Sequence, residues 1–167
     1  DFTTLVSRRN TGSTKWNAMY TDNPNVPEDV VPLSVADMEL KNPPQIGRGL
    51  AEYLQSAILG YTDPTDRFYD AVRRWQKRRN GWEIQREWIV DYPGVVPAFF
   101  HLTKFLTQPG DGVILLTPVY YPFYEAVRNC GRTLTESALL YQGGTYAIDF
   151  DDLEAKARDP KNKLLLF

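Results

Sequence analysis

The sequence predicts an α/β fold, built on a mostly parallel sheet with helices on both faces. From residue 88 onward, short apolar runs typical of buried strands alternate with segments in which apolar residues recur at helical spacing. Strands separated by helices pair in parallel through crossover connections, which place helices on both faces of the sheet. The 167 residues are 43% hydrophobic and 24% charged, a composition that can form a core.

The first part of the chain has no regular apolar pattern. Residues 1–31 contain Gly12, Pro24 and Pro27 without a sustained period, and we therefore expect an extended N-terminal arm. Such an arm requires another surface to lie on.

Residues 32–87 are predicted to be helical. Asn42 and Pro43 have the character of a helix cap and a first helical residue, and the helix is expected to end near Leu59. Five apolar residues recur at helical spacing within it: Ile46, Leu50, Tyr53, Leu54 and Ile58. A second amphipathic helix is expected after Pro64, and we interpret its basic "RRWQKRR" segment as a solvated face.

The remaining segments follow in alternating order. We predict strands at "WIVDY", "GVILL", "TLTESAL" and "KLLLF", and helices at "PGVVPAFFHLTKFL", "YPFYEAVRNCG" and "IDFDDLEAKARD", with a turn at "QGG". A buried parallel strand such as "KLLLF" is normally followed by a loop and a helix that cover it. The residues alone leave open whether the protein ends with this strand or is the front part of a larger one.

Composition excludes several classes of function. A net charge of −2 with interspersed charges argues against nucleic-acid binding, and the short apolar runs argue against a membrane span. The N-terminus lacks the apolar core of a signal peptide, so we expect a cytoplasmic protein. One cysteine, Cys130, and one histidine, His101, provide neither an internal disulfide nor a His-rich metal site nor a serine-type triad. We expect both residues to be packing residues.

Ligands of open parallel sheets bind beyond the carboxyl ends of the strands, so the turns there are the candidate sites. In "DYPGVV", the backbone N–H groups of Gly94, Val95 and Val96 are predicted to be unpaired at a helix start, which suits a phosphate. In "TPVYYPFY", Tyr120 falls just past a strand end, where a flat ligand can stack on its ring. In "VADM", N–H groups near Ala36 can meet a carboxylate. Each turn also has a purely structural explanation, since Pro-Gly turns and aromatic packing are common.

Taken together, the segments "ADMEL", "GYTDP", "PGVV", "PGDGVILLTPVYYPFY" and "YAIDFDDLE" are similar in order and spacing to one family. They resemble the bacterial C–S lyase (cystathionine β-lyase) branch of the class I/II aminotransferase superfamily. The resemblance implies the aspartate aminotransferase fold (fold type I), of which this chain matches the N-terminal portion, and the cofactor pyridoxal 5′-phosphate (PLP). Residues 1–31 would be the arm, residues 32–87 part of the small domain and interface, and residues 88–167 the first part of the large PLP-binding domain.

The resemblance also implies roles for individual residues. Val95 and Val96 would offer main-chain N–H groups to the PLP phosphate, where many relatives have Ser or Thr. Tyr120 would stack on the cofactor ring, and Tyr61 would cross a homodimer interface to the partner's phosphate. Ala36 would contact the substrate carboxylate through its backbone, and the neighbouring Asp37 is expected to be structural.

The activity implied is β-elimination, in which L-cystathionine or a related cysteine S-conjugate yields a thiol, pyruvate and ammonia. An aminotransferase of the same superfamily is the alternative, and a non-catalytic α/β ligand- or partner-binding module is an alternative of another class. The family's Schiff-base lysine would lie beyond Phe167, so this chain is expected to carry no catalytic residue and residues 1–167 alone to be inactive. Lys15, in "STKW", is expected at a surface or an interface.

Overall fold

A computed structural model describes residues 3–167 and divides the chain into two compact units. The N-terminal unit ends at Asp63, and the C-terminal unit extends from Pro64 to Phe167. This division falls at neither predicted boundary, so the assignment of an arm, a small domain and a large domain stays a prediction. Asp1 and Phe2, which belong to the predicted arm, lie outside the described residues.

The N-terminal unit contains two helices, α1 (Thr14–Asp22) and α2 (Pro44–Ser56). The prediction that residues 1–31 are wholly extended is wrong, because α1 lies within them. This helix buries Lys15 and Trp16. Since a charged residue occupies one of the two buried positions, no apolar period reveals the helix in the sequence.

Helix α2 begins one residue later than predicted, with Pro43 as its cap and Pro44 as its first residue. It ends at Ser56, before the predicted end near Leu59. In the part of the chain that the structure describes, none of the α2 side chains is buried, so its apolar stripe is an exposed face.

The C-terminal unit contains the remaining elements. After α3 (Asp66–Asn80) and a 3₁₀ turn come, in chain order, α4 (Val95–Leu106), β1 (Gly112–Thr117), α5 (Tyr121–Asn129), β2 (Thr133–Ala138), β3 (Leu140–Gln142), β4 (Thr145–Ala147), α6 (Phe150–Arg158) and β5 (Asn162–Leu166). The strand predicted at "WIVDY" is wrong, since the 3₁₀ turn Arg86–Trp88 precedes a segment without strand structure. An apolar run becomes a strand only where a neighbouring strand pairs with it, and within residues 3–167 none pairs with this one.

Strands β1, β2 and β5 form a parallel sheet, as predicted, and the structure places them in the order β2–β1–β5. Strands β3 and β4 form a separate antiparallel hairpin across the "QGG" turn. In the central strand, Val113 and Leu115 face one side and pack with Val127 of α5. Successive strand residues point to opposite faces, so Ile114 and its register partner Leu165 face the other side.

The second face of the sheet carries α6. Ser137 of β2 shares this face, because its register partner Leu116 lies two residues after Ile114, and its hydroxyl donates to Asp152 of α6 at 2.7 Å. Helices therefore cover both faces, which confirms the predicted α/β class. None of the helices in residues 3–167 combines the length and the apolar character that a membrane crossing requires.

Candidate functional site

The "PGVV" turn lies at the N-terminus of α4. Gly94 is the residue before the helix and has φ 120° and ψ 158°. Its own N–H donates to the Tyr92 carbonyl at 2.7 Å, so the prediction that this N–H is unpaired is wrong. The tight Tyr92–Gly94 turn is the reason, because it brings the two groups together over only two residues.

The next two N–H groups behave as predicted. Within the described chain, those of Val95 and Val96 have no hydrogen-bond partner, and no α-helix provides partners for its first N–H groups. Val95 is exposed and Val96 is half-buried. They lie at the positive end of the α4 dipole, and two such donors suit an anion.

Tyr120 lies beyond the carboxyl end of the central strand. It is the cap residue of α5, and 55% of its surface is exposed. Partial desolvation raises the pKa of Tyr120, and the neighbouring Tyr121 and Glu125 add to the rise. The phenol therefore stays neutral at physiological pH, and its ring offers a flat, uncharged surface to a ligand.

Helices α4 and α5 are connected through aromatic contacts. Phe99 of α4 meets Phe123 of α5 edge-on, with ring centroids 4.8 Å apart, and Phe123 meets Tyr120 at 6.3 Å. These contacts pack the N-terminal halves of α4 and α5 against each other. The structure thus connects two of the predicted binding features, the "PGVV" turn and Tyr120, within the C-terminal unit.

The other two predicted site residues belong to the N-terminal unit. Ala36 is exposed and follows Val35, whose φ of 63° is unusual for a β-branched residue. Tyr61 is fully exposed in the loop after α2. The binding roles of Ala36, Tyr61, Tyr120 and the Gly94–Val96 turn stay predictions.

Directly after Ala36 lies a cluster of charged side chains that sequence reasoning missed. Lys15 Nζ lies 2.9 Å from Asp37 Oδ1 and 2.7 Å from Glu39 Oε1, and Arg8 Nη1 lies 2.6 Å from Asp37 Oδ2. The Arg8 hydrogen bond, with that of Lys15, lowers the pKa of Asp37, and Lys15 lowers that of Glu39. Asp37 is thus structural, as predicted.

The placement of Lys15 differs from the prediction of a surface or interface residue. Only 3% of it is exposed, because its ammonium is enclosed by the two carboxylates within the same unit. The partners are 22 and 24 positions away in the chain, so no local spacing reveals them. The acidic residues of "ADMEL" and the basic residues near "STKW" are the only trace in the sequence.

His101 and Cys130 have packing contacts. The imidazole ring of His101 meets Tyr92 edge-on at 5.4 Å although the residue is exposed, and Cys130 is buried at the end of α5. Of the other aromatic residues near Tyr120, Phe123 and Tyr124 pack against the core, whereas Tyr121 is exposed.

Comparison with known proteins gives concordant results. The model of the family "aminotransferase class I and II" matches residues 28–167. Cystathionine beta-lyase PatB of Bacillus subtilis is 43% identical over 138 residues, which cover 83% of this chain and 36% of that protein.

Solved structures also match. Cystalysin from Treponema denticola, whose crystal structure contains PLP, is 53% identical with a TM-score of 0.96, covering 100% of this chain and 42% of that one. The PLP-bound C–S lyase from Staphylococcus hominis is 28% identical with a TM-score of 0.86, covering 99% of this chain and 41% of that one. The chain thus spans about two fifths of the length of the proteins it matches.

Proposed function

This chain belongs to the class I and II aminotransferase family, and on that premise we propose that the whole protein is a PLP-dependent C–S β-lyase. It cleaves L-cystathionine or a related cysteine S-conjugate to a thiol, pyruvate and ammonia. The observation that supports the proposal is that α4 and α5, which pack against each other through Phe99 and Phe123, carry two unpartnered N–H groups and an exposed tyrosine ring. The names of the matched lyases support the choice of reaction.

The residues present fit PLP. Its phosphate is a dianion that accepts hydrogen bonds, and the N–H groups of Val95 and Val96 are unpaired donors at a positive helix end. Its pyridine ring is flat, and the exposed ring of Tyr120 provides a surface for stacking. When bound, PLP supplies an electron sink for negative charge at the substrate α-carbon.

The N-terminal unit supplies the substrate contact in this proposal. Ala36 is exposed, and in this proposal its backbone binds the carboxylate of the amino acid. Tyr61, fully exposed, reaches the phosphate bound by the partner subunit of a homodimer. The protein acts in the cytoplasm.

An aminotransferase is the second candidate, because the matching family model carries that description. Both reactions begin with removal of the α-proton, and they differ in whether a group then leaves from Cβ. A ligand- or partner-binding module without chemistry is the third candidate.

One assay separates the three. The whole protein, saturated with PLP, is incubated with L-cystathionine, and pyruvate and thiol are measured with and without a 2-oxo acid. We expect pyruvate release that does not depend on the 2-oxo acid. Amino-group transfer without thiol release would favour the aminotransferase, and failure to retain PLP would favour the binding module.

Residues 1–167 alone are expected to release no pyruvate, and release at the rate of the whole protein would contradict the placement of the catalytic lysine beyond Phe167.

A further inference from the structure

The segment 35–40, which contains Ala36, is held in place by residues that lie much earlier in the chain. The Val6 N–H donates to the Glu39 carbonyl at 2.6 Å, and Leu5 forms an antiparallel bridge with Leu40. These main-chain contacts define the far end of the segment. The end near Ala36 depends on side chains instead.

Lys15 makes the central contacts. Its Nζ donates to the Asp37 backbone carbonyl at 2.9 Å and also contacts Asp37 Oδ1 at 2.9 Å and Glu39 Oε1 at 2.7 Å. The contact with the carbonyl is a hydrogen bond, whereas those with the two carboxylate oxygens are ion pairs without hydrogen-bond geometry. One buried side chain therefore holds both the main chain and the side chain of the residue that follows Ala36.

Two neighbours complete the cluster. Arg8 Nη1 binds the second oxygen of Asp37 at 2.6 Å, and Trp16 Nε1 donates to the second oxygen of Glu39 at 3.1 Å. Two cations thus face two carboxylates, and the cluster is balanced in charge. We call these five residues, namely Arg8, Lys15, Trp16, Asp37 and Glu39, the charged clamp.

The conformation that the clamp holds is not one that the segment favours locally. Val35 has φ 63°, in the left-handed region that β-branched residues rarely adopt. Residues in such conformations persist only where surrounding contacts determine them. Since Val35 directly precedes Ala36, release of the clamp allows the Ala36 backbone to turn away from its present orientation.

We propose that Lys15 is a positioning residue, which holds the Ala36 backbone in the orientation that binds the substrate carboxylate. The inference rests on the proposed function, because it assumes that Ala36 meets the carboxylate of an amino acid. Lys15 itself touches neither substrate nor cofactor. A lysine that served folding alone would have no selective effect on carboxylate binding.

The test uses the whole protein with PLP and compares Lys15→Met with Lys15→Arg, which retains the charge, and with Lys41→Met, a neutralised lysine that is exposed in the same unit. The first measurement is the KM and kcat for L-cystathionine. The second is the dissociation constant of L-alanine by calorimetry, because alanine has a carboxylate but no group that can leave from Cβ. The third is amide hydrogen exchange in residues 35–40.

In Lys15→Met we expect the KM and the L-alanine dissociation constant to rise about tenfold, the scale of one lost charged hydrogen bond, with kcat within about twofold of wild type. Amide hydrogen exchange in residues 35–40 is expected to increase in Lys15→Met. Lys15→Arg is expected to recover most of the L-alanine affinity, and Lys41→Met is expected to match wild type in all three measurements. Unchanged L-alanine affinity in Lys15→Met, with or without faster exchange, would overturn the inference. An equal loss of L-alanine affinity in Lys41→Met would also overturn the inference.

Two further outcomes are covered. If Lys15→Met does not fold, Arg8→Gln, which removes the half-exposed cation of the clamp, is expected to raise the L-alanine dissociation constant less strongly, and an unchanged constant would overturn the inference. If wild type binds L-alanine but releases no pyruvate from L-cystathionine, the proposed lyase reaction fails while the Lys15 effect is still measured. A wild type that does not bind L-alanine overturns both.

Discussion

Replacement of Gly94 with alanine is a direct test of the phosphate turn. Gly94 has φ 120° and ψ 158°, a region that is essentially restricted to glycine. An added Cβ would lie 3.6 Å from Pro97 Cδ, which is an ordinary contact, so steric overlap contributes nothing. The cost is therefore the backbone strain alone, about 1–3 kcal/mol of the free energy of unfolding.

The strain has a second consequence at the site. If the backbone relieves it by rotating to negative φ, the neighbouring N–H of Val95 turns away from the direction in which the phosphate is proposed to bind. Gly94→Ala is thus expected to weaken PLP binding as well as to destabilise the fold. The two effects are measured separately, stability on the cofactor-free protein by denaturant unfolding and affinity by absorbance titration with PLP.

Gly49→Ala is the matched control. Gly49 lies inside α2, and an added Cβ would meet no atom within 4 Å. Because alanine favours a helix interior, this variant is expected to gain about 0.5–1 kcal/mol and to bind PLP like wild type. The reasoning is refuted if Gly94→Ala unfolds at the same denaturant concentration as wild type and retains its PLP affinity.

Three other predictions concern stacking, core packing and acid stability. Tyr120→Leu should weaken PLP binding about two- to tenfold, the scale of one aromatic stack, whereas Tyr121→Leu should not; equal titration curves for the two variants would contradict the stacking role. Leu115→Ala, at a fully buried position of β1, should lower the free energy of unfolding by about 2–5 kcal/mol, and a loss well under 1 kcal/mol in denaturant would contradict the packing described. Lys15 holds the pKa of Glu39 below its usual value, so the ionised carboxylate stabilises the folded protein. This contribution is complete above the usual glutamate pKa of about 4.3 and is lost as the pH falls through the lowered pKa. The free energy of unfolding of Glu39→Gln should therefore fall less steeply than that of wild type between about pH 6 and pH 3. An equal slope in the two proteins would contradict this role of Glu39.

Much of the C-terminal unit follows from local sequence. The strands at "GVILL", "TLTESAL" and "KLLLF" and the helices α5 and α6 lie where the apolar pattern and the capping residues predict them. The site follows from the same pattern, because a ligand of a parallel sheet binds beyond the carboxyl ends of its strands. Tyr120 lies beyond the end of β1 as this pattern predicts, and its role in binding stays a prediction.

The pattern of hydrogen bonds could not be predicted from the sequence. The pattern at "WIVDY" is that of a strand, but a strand also requires a neighbour with a free edge, and pairing is decided by the fold. Likewise the helix start at Gly94 predicts three free N–H groups, and the turn to Tyr92 uses one of them.

By itself, then, the sequence determined the α/β class, the strands of the parallel sheet with the helices between them, and the position of the "PGVV" turn and Tyr120, since each depends on residues close together in the chain. Only the tertiary structure decided that Lys15 is buried and that Arg8 and Lys15 bind Asp37 and Glu39. The physical reason is that an ion pair between residues more than twenty positions apart leaves no periodic signal. A buried cation becomes stable only when folding brings its carboxylates within hydrogen-bonding distance.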